Sequence, residues 1–294
     1  MFLRPIHASA ADALTVRQIK TRAFTALAAE RGEPPPPPMT PAQIRRNDAR
    51  LRHLVHTDPH GCWLAERDDG EPVGVALALR RESLWGLSLL AVVPEAQGKG
   101  AGRMLLDQVR AYGRGCLRGI IVSSADPRAA RRYHGAGFRL HPMMRLTGAV
   151  DAASLPDPGP TPVHLGDIEH QHLLDSVDRR TRGGAHGPDH VRLLAAADEL
   201  LLVDTLSGSG YCYRTGGRID LLAATSRRLA ARLLIEALSR TPPGEEALVE
   251  HLTAEQDWAV DVGLAAGLTV GNRGYLALRG MRPPAPYLPS GAYL

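Results

Sequence analysis

Apolar side chains crowd together most densely between Leu84 and Val93, where Leu84, Trp85, Leu87, Leu89, Leu90, Val92 and Val93 follow with few interruptions. Such a run predicts a strand buried on both faces. Pro94 ends it, because proline has no N–H to donate to a ladder. From Arg103 to Val109 the apolar positions shift to helical spacing. Upstream, Phe2–Ile6 reads as a short strand, and 10–30 as a helix through Leu14, Ile19, Phe24 and Leu27. The proline run Pro34–Pro38 favours polyproline II and reads as a stiff loop, with a recognition ligand or a flap over the acceptor site as the alternative. Thr40-Pro41 then starts a second helix, to about His56, with Thr40 as N-cap and proline at the first position. Gly61–Glu66 and Pro72–Leu79 read as strands about the turn Asp68-Asp69-Gly70-Glu71. Arg118–Ser124 is a further strand, and Asp126-Pro127 opens a short helix that closes at Gly137.

Asp151–Pro162 is rich in Pro, Ala and Asp and reads as a linker. Beyond it the order of elements starts again. A strand over 161–165 is followed by a helix over 168–178, a Gly/His-rich loop from Arg182 to His190 and another helix. A hairpin pairs 199–205 with 210–214, and a strand covers 219–223. Ser226 caps a helix over 227–239, then come a strand over 247–252 and a helix over 256–266. The repetition predicts an internal duplication in an α/β (α+β) chain: two tandem domains, each a mixed central sheet flanked by helices. The boundaries follow as 1–149, a linker at 150–161, a second domain at 162–282 and a Pro-rich tail at 283–294 that docks as a strap.

Composition adds limits. Hydrophobic residues make up 44% of the 294 and aromatics 4%, so the cores are built from Leu, Val and Ala. The net charge is +4, and Lys20 and Lys99 are the only lysines. No basic block with interleaved aromatics is present, so nucleic acid is not an expected partner. Cys62, Cys116 and Cys212 are scattered, with no CxxC pair, which suits a reducing compartment. The N-terminus has no signal-peptide pattern, and no run approaches the ~18 apolar residues of a membrane span. The expectation is a cytoplasmic protein without a membrane partner.

The chemistry concentrates at Gln97-Gly98-Lys99-Gly100-Ala101-Gly102, between the apolar strand and the helix that begins at Arg103. Glycines let the backbone approach a ligand and adopt φ > 0. The first N–H groups of a helix lack internal partners, and its dipole is positive there. Together these predict a phosphate cradle, with Lys99 and Arg103 adding charge. The spacing fits neither GxxxxGK[ST] nor GxGxxG; what stands is Q-x-x-G-x-G on Gln97, Gly100 and Gly102. Downstream, Asp126, Ala129, Tyr133 and Gly137-Phe138 form a second pattern close to N-x-x-A-x-x-x-Y-x-x-x-G-F, with Asp in place of Asn.

These two motifs, in this order, resemble the signatures of the GCN5-related N-acetyltransferases (GNAT family), over roughly residues 1–148. The resemblance implies a site for acetyl-CoA, or another acyl-CoA, as co-substrate. Gln97, Gly98, Lys99, Gly100, Ala101, Gly102 and Arg103 would hold its pyrophosphate. Leu90 and Val92 would offer main-chain groups to the pantetheine arm and the acetyl oxygen, and Asp126 and Tyr133 would line the site. Tyr133 is the expected general acid for the leaving thiolate, or else packs against coenzyme A. Glu66, Glu82, Ser88, His56 and His134 are all open as the base. The expected acceptor is an amine on a small molecule, attacking directly in a ternary complex. An acyl carrier protein as donor, a non-catalytic CoA-binding or partner-binding role, and a homodimer stay open beside it. Among His164, His170, His172, His186 and His190 no HxxxH pair sits on a clearly helical face with a matching carboxylate, and the His170/His172 spacing points the rings apart, so no metal is expected. The second half has Thr225-Ser226-Arg227-Arg228 where a glycine loop would stand and no Tyr four residues before Gly267. It reads as a degenerate copy. A terminal carboxylate crossing toward the acceptor cleft is a further idea for the tail.

Overall fold

The computed structural model describes all 294 residues, which pack into two compact units. One comprises Met1–Arg80 with Trp85–Cys116; the other comprises Arg81–Leu84 with Leu117–Leu294.

The first unit holds β1 (Phe2–Pro5), α1 (Ala10–Glu30), α2 (Pro41–Thr57), β2 (Cys62–Glu66), most of β3 (Pro72–Arg81) and β4 (Leu84–Val92), and α3 (Ala101–Tyr112). Its strands lie in the order β1-β2-β3-β4. The helix starts are locally encoded. Ser9 Oγ accepts from Asp12 N at 3.1 Å, and Thr40 with Gln43 forms a reciprocal capping box. Asp58 is fully buried and ties three elements together, since its Oδ1 accepts from Arg80 N at 2.8 Å and from the Tyr112 hydroxyl at 2.9 Å. α3 buries Leu105, Leu106 and Val109, each stabilising by roughly 1.5–3 kcal/mol. Trp85 fixes β4 against α3 by donating Nε1–H to Val109 O at 2.9 Å.

The second unit holds β5 (Arg118–Ser123), α4 (Pro127–Gly135), β6 (Arg139–Gly148), β7 (His164–Leu165), α5 (Gln171–Thr181), α6 (Asp189–Ala196), β8 (Glu199–Thr205) and β9 (Gly208–Thr215). It continues with β10 (Arg218–Ala224), α7 (Arg227–Ser239), β11 (Ala247–Leu252), α8 (Asp257–Ala265), β12 (Thr269–Arg279) and β13 (Tyr287–Leu288). Its strand order is β5-β12-β6-β11-β10-β9-β8-β7. Strands from the two halves of the sequence therefore alternate: β12 lies between β5 and β6, and β6 lies between β12 and β11.

Two details make this interleaving possible. Pro142 sits in the stretch of β6 that pairs with β12 alone, because β11 joins only from Met144 onward, and proline is tolerated where one edge of a strand has no partner. Gly274 has φ 121 at a register shift in β12, and a Cβ there would lie 2.3 Å from Ser123 O, so only glycine allows the approach. Leu229, Leu233, Leu234 and Leu238 of α7 and Trp258 of α8 close the main core over Leu222, Val249 and Leu146.

Candidate functional site

In the first unit the strand, loop and helix stand as the sequence predicts, with one shift. α3 begins at Ala101 rather than Arg103, so Ala101 and Gly102 form the first helical turn and both are buried. Gly102 thus acts as a small helical residue and not as a loop glycine. The loop glycines are Gly98, with φ 74, and Gly100, the helix N-cap, with φ 94. A Cβ at either would meet open space, so the demand for glycine there is conformational. The main-chain N–H groups of Gly98, Lys99 and Gly100 donate to no main-chain acceptor. Ala101 and Gly102 add the unpaired donors of a helix start. Lys99 and Arg103 are exposed beside them. Exposed N–H groups, a positive helix end and two flexible cations fit a diphosphate.

Gln97 differs from the other loop residues. Its Nε2 donates to Val92 O at 3.0 Å and so ties the loop back to the end of β4. That carbonyl, expected to serve the pantetheine arm, already has one lone pair engaged. Val93 N pairs with Val73 O at 2.9 Å, and Val92 is buried. Leu89 and Leu90 are both half-buried, which leaves this part of β4 accessible.

In the second unit, Asp126 caps α4, its Oδ1 accepting from Arg128 N at 2.8 Å and from Arg128 Nε at 3.0 Å. The ion pair with Arg128 offsets the negative charge that distinguishes this residue from the usual Asn. Tyr133 is 5% exposed and makes no hydrogen bond through its hydroxyl. Burial raises its pKa well above the ordinary phenol value; Asp126 adds to the rise, against an opposing effect of Arg132. The phenol therefore keeps its proton near neutral pH and has it free to donate.

Of the five positions left open for a base, three are engaged. Glu66 pairs with Arg4 at 2.6 Å, Glu82 pairs with Arg179 at 2.7 Å, and Ser88 accepts from Arg50. His56 and His134 are exposed on their helices.

The second half of the sequence has no equivalent cradle. Ser226 Oγ accepts from Leu229 N at 3.4 Å, so the start of α7 carries a side-chain cap. β10 and β11 share a single parallel pair, Arg218–Leu248. β13 of the tail runs antiparallel along β10, pairing Leu288 with Leu222 and Tyr287 with Ala223. Gln256 Nε2 donates to Pro284 O at 2.8 Å, and the His251 ring meets Pro289 O at 2.9 Å, which holds the tail in place. The main-chain oxygen of Leu294 accepts from the Tyr287 hydroxyl at 2.7 Å and from Arg182, inside this unit. It is engaged as an acceptor within this unit.

The sequence reading dispersed the histidines, yet His186 and His190 converge on Asp178 in the core of the second unit. Asp178 Oδ2 accepts from His186 N at 2.9 Å and meets His186 Nδ1 at 2.8 Å and His190 Nε2 at 3.2 Å, while Tyr211 donates to Oδ1. Burial alone would push the Asp178 carboxyl up. The charge and hydrogen bonds of His186, with His190 and Arg182, outweigh it and hold the carboxyl far below the usual carboxylate range. The fully buried Arg182 guanidinium abuts His186 Nε2, while its Nε and Nη2 find no hydrogen-bond partner. A dication here would face that buried cation. The i, i+4 pair His186/His190 is its one local signal; Asp178, Tyr211 and the tail join it only in the folded chain.

Residues 21–138 match the model of the acetyltransferase (GNAT) family, a span that includes both motifs. No curated protein matches the chain. Among solved structures, a Pyrococcus horikoshii protein superposes with a TM-score of 0.72 at 16% identity, over 99% of this chain and 94% of its own. A GCN5-related N-acetyltransferase from Sphaerobacter thermophilus gives 0.59 at 16% identity, over 96% of each chain. A tandem GNAT protein from the clavulanic acid biosynthesis pathway gives 0.54 at 15% identity, over 95% of this chain and 98% of that one. At such identities the likeness is one of fold. The glycine loop before α3 and the phenol of Tyr133 both lie within residues 21–138, the span similar to the acetyltransferase (GNAT) family, and the whole chain has a fold like that of a solved tandem GNAT protein.

Proposed function

We propose that this protein transfers an acetyl group from acetyl-CoA to the amine of a small molecule. The observation that carries the reading is the open loop Gly98–Gly100, with unbonded N–H groups at the start of α3, inside the span matched by the family model.

The donor supplies an activated thioester. The N–H groups of Gly98 to Gly102 would hold its diphosphate, with Lys99 and Arg103 as counter-charges. Main-chain donors near Leu90 would polarise the acyl oxygen, a contribution on the order of 3 kcal/mol per donor. The acceptor nitrogen bonds to the acyl carbon and gives up a proton to solvent, the C–S bond breaks, the sulfur takes the proton held on Tyr133 Oη, and the phenolate regains a proton from solvent. The high pKa of that phenol suits it to donate to a thiolate. Since the tail occupies the edge of β10 and α7 is capped by Ser226, one donor would bind per chain.

The test is calorimetric titration of the full chain with acetyl-CoA, followed by thiol release with an amine panel. Gly100→Val, which forces a β-branched residue to φ 94, should abolish donor binding while the far-UV spectrum is kept. Unchanged binding in that variant refutes the loop assignment.

A further inference from the structure

The run Pro34–Pro38 joins α1 to α2 in the first unit. Both of its ends are held. Glu33 N donates to Ala28 O at 2.9 Å, after the turn that Gly32 makes with φ 65. Arg31 pairs with Glu33 at 2.6 Å. On the far side Asn47 Nδ2 donates to Met39 Sδ at 3.1 Å, and Thr40 N donates to Gln43 Oε1 at 2.8 Å in the capping box of α2. Between these anchors the five prolines lie outside every helix and strand, and each of them is exposed. Proline fixes φ at about −65° and turns the residue before it away from the helical region. Five in a row therefore favour polyproline II, with roughly three residues per turn and about 3.1 Å per residue. Pro34 and Pro37 then share one edge, Pro35 and Pro38 share a second, and Pro36 stands on the third. A spacer laid along the protein would bury one of these edges. None is buried, so the run fills no part of the core. What it presents to water is a row of apolar rings and of carbonyls with no N–H among them.

We infer that Pro34–Pro38 is a docking ligand for a partner protein with an aromatic-lined groove, engaged through an edge of P-x-x-P spacing, Pro34/Pro37 or Pro35/Pro38. Flat aromatic rings pack between proline rings, and the N–H or O–H of Trp and Tyr meets the proline carbonyls. The preset φ angles and the two anchored ends leave the loop little freedom to lose on binding, whereas a free proline-rich tail would first have to be ordered. Docking here does not depend on acetyl transfer.

The test titrates a nitrogen-15-labelled WW domain, of the class that reads plain polyproline, with the unlabelled full chain. The resonances of its groove Trp and Tyr should shift saturably, and excess decaproline should reverse the shift. Pro35→Ala combined with Pro37→Ala interrupts both edges, since Pro37 belongs to the first and Pro35 to the second. The double variant should bind the domain at least about tenfold more weakly, with the far-UV spectrum and melting temperature of the chain kept. Decaproline that shifts the domain while the full chain does not overturns the docking role. Equal binding by wild type and the double variant overturns it too, because the contact then lies elsewhere. If the full chain leaves the domain unshifted and the double variant alters thiol release from acetyl-CoA, the loop is a flap over the acceptor side and not a ligand.

Discussion

Tyr133 has its hydroxyl unpaired in a side chain that is 5% exposed, and that isolation is what a proton donor to sulfur requires. Tyr133→Phe removes one oxygen and leaves the packing. It should lower kcat by about 10²-fold, at the low end for general acid catalysis, with acetyl-CoA affinity unchanged; full turnover would assign the ring a packing role only. Asp178 makes a different prediction, about stability. Asp178→Asn leaves the buried Arg182 and the His pair without their anion, and should destabilise the fold by about 3–5 kcal/mol in denaturant titration. The folded pKa of Asp178 is depressed, so its contribution is present above the ordinary carboxylate value and lost as pH falls below about 4. His190, raised above its ordinary value by Asp175 and Asp178 despite a lowering by burial, contributes in the opposite sense. Its share is present below about 6.5 and lost as pH rises through the folded value. The gap between wild type and Asp178→Asn should therefore be widest between these limits and shrink in acid.

Among the elements, the register shift at Gly274 in β12 and the docked tail differ most from what local propensity gives. Gly274→Ala sets a Cβ 2.3 Å from Ser123 O at φ 121, and should cost about 3 kcal/mol without touching the glycine loop. Acetyl-CoA affinity in that variant, measured by calorimetry, should match wild type. The tail buries Tyr287, Leu288, Tyr293 and Leu294. Leu288→Ala, in the core with Leu222 and Val249, should lower stability by about 2–5 kcal/mol. Helices were legible from end signals: Thr40, Asp126 and Ser226 all cap where the sequence placed them. The loop was legible to within two residues, the error being that a helix whose N-cap is glycine starts earlier than its first charged residue suggests.

At the scale of the molecule, β6 and β12 are the strands for which the hydrophobic pattern gave no signal. β6 contains Pro142 and Arg145, and β12 contains Asn272 and Arg273, so neither alternates cleanly. Their ladders exist because each half of the sequence lends a strand to the other's neighbours. A fragment of residues 1–149 should consequently be aggregation-prone, since β6 would lose both partners and β5 would lose β12. Size-exclusion chromatography and amide exchange at 119–123 would show a well-folded monomer if the strands could do without one another. No helix is long and apolar enough to cross a membrane.

What the sequence determined alone is local: the apolar strand ending at Pro94, the glycine loop with Gln97 and Gly100, the capped helices, and the loss of glycines in the second half. Caps, turns and φ > 0 act within a few residues, and the residues needed are neighbours in the chain. What the tertiary structure decided is the pairing of β5, β6, β11 and β12, the tail along β10, and the closure of His186 and His190 on Asp178. Each joins groups far apart in sequence, and their free energy comes from burial and electrostatics that no single stretch of chain contains.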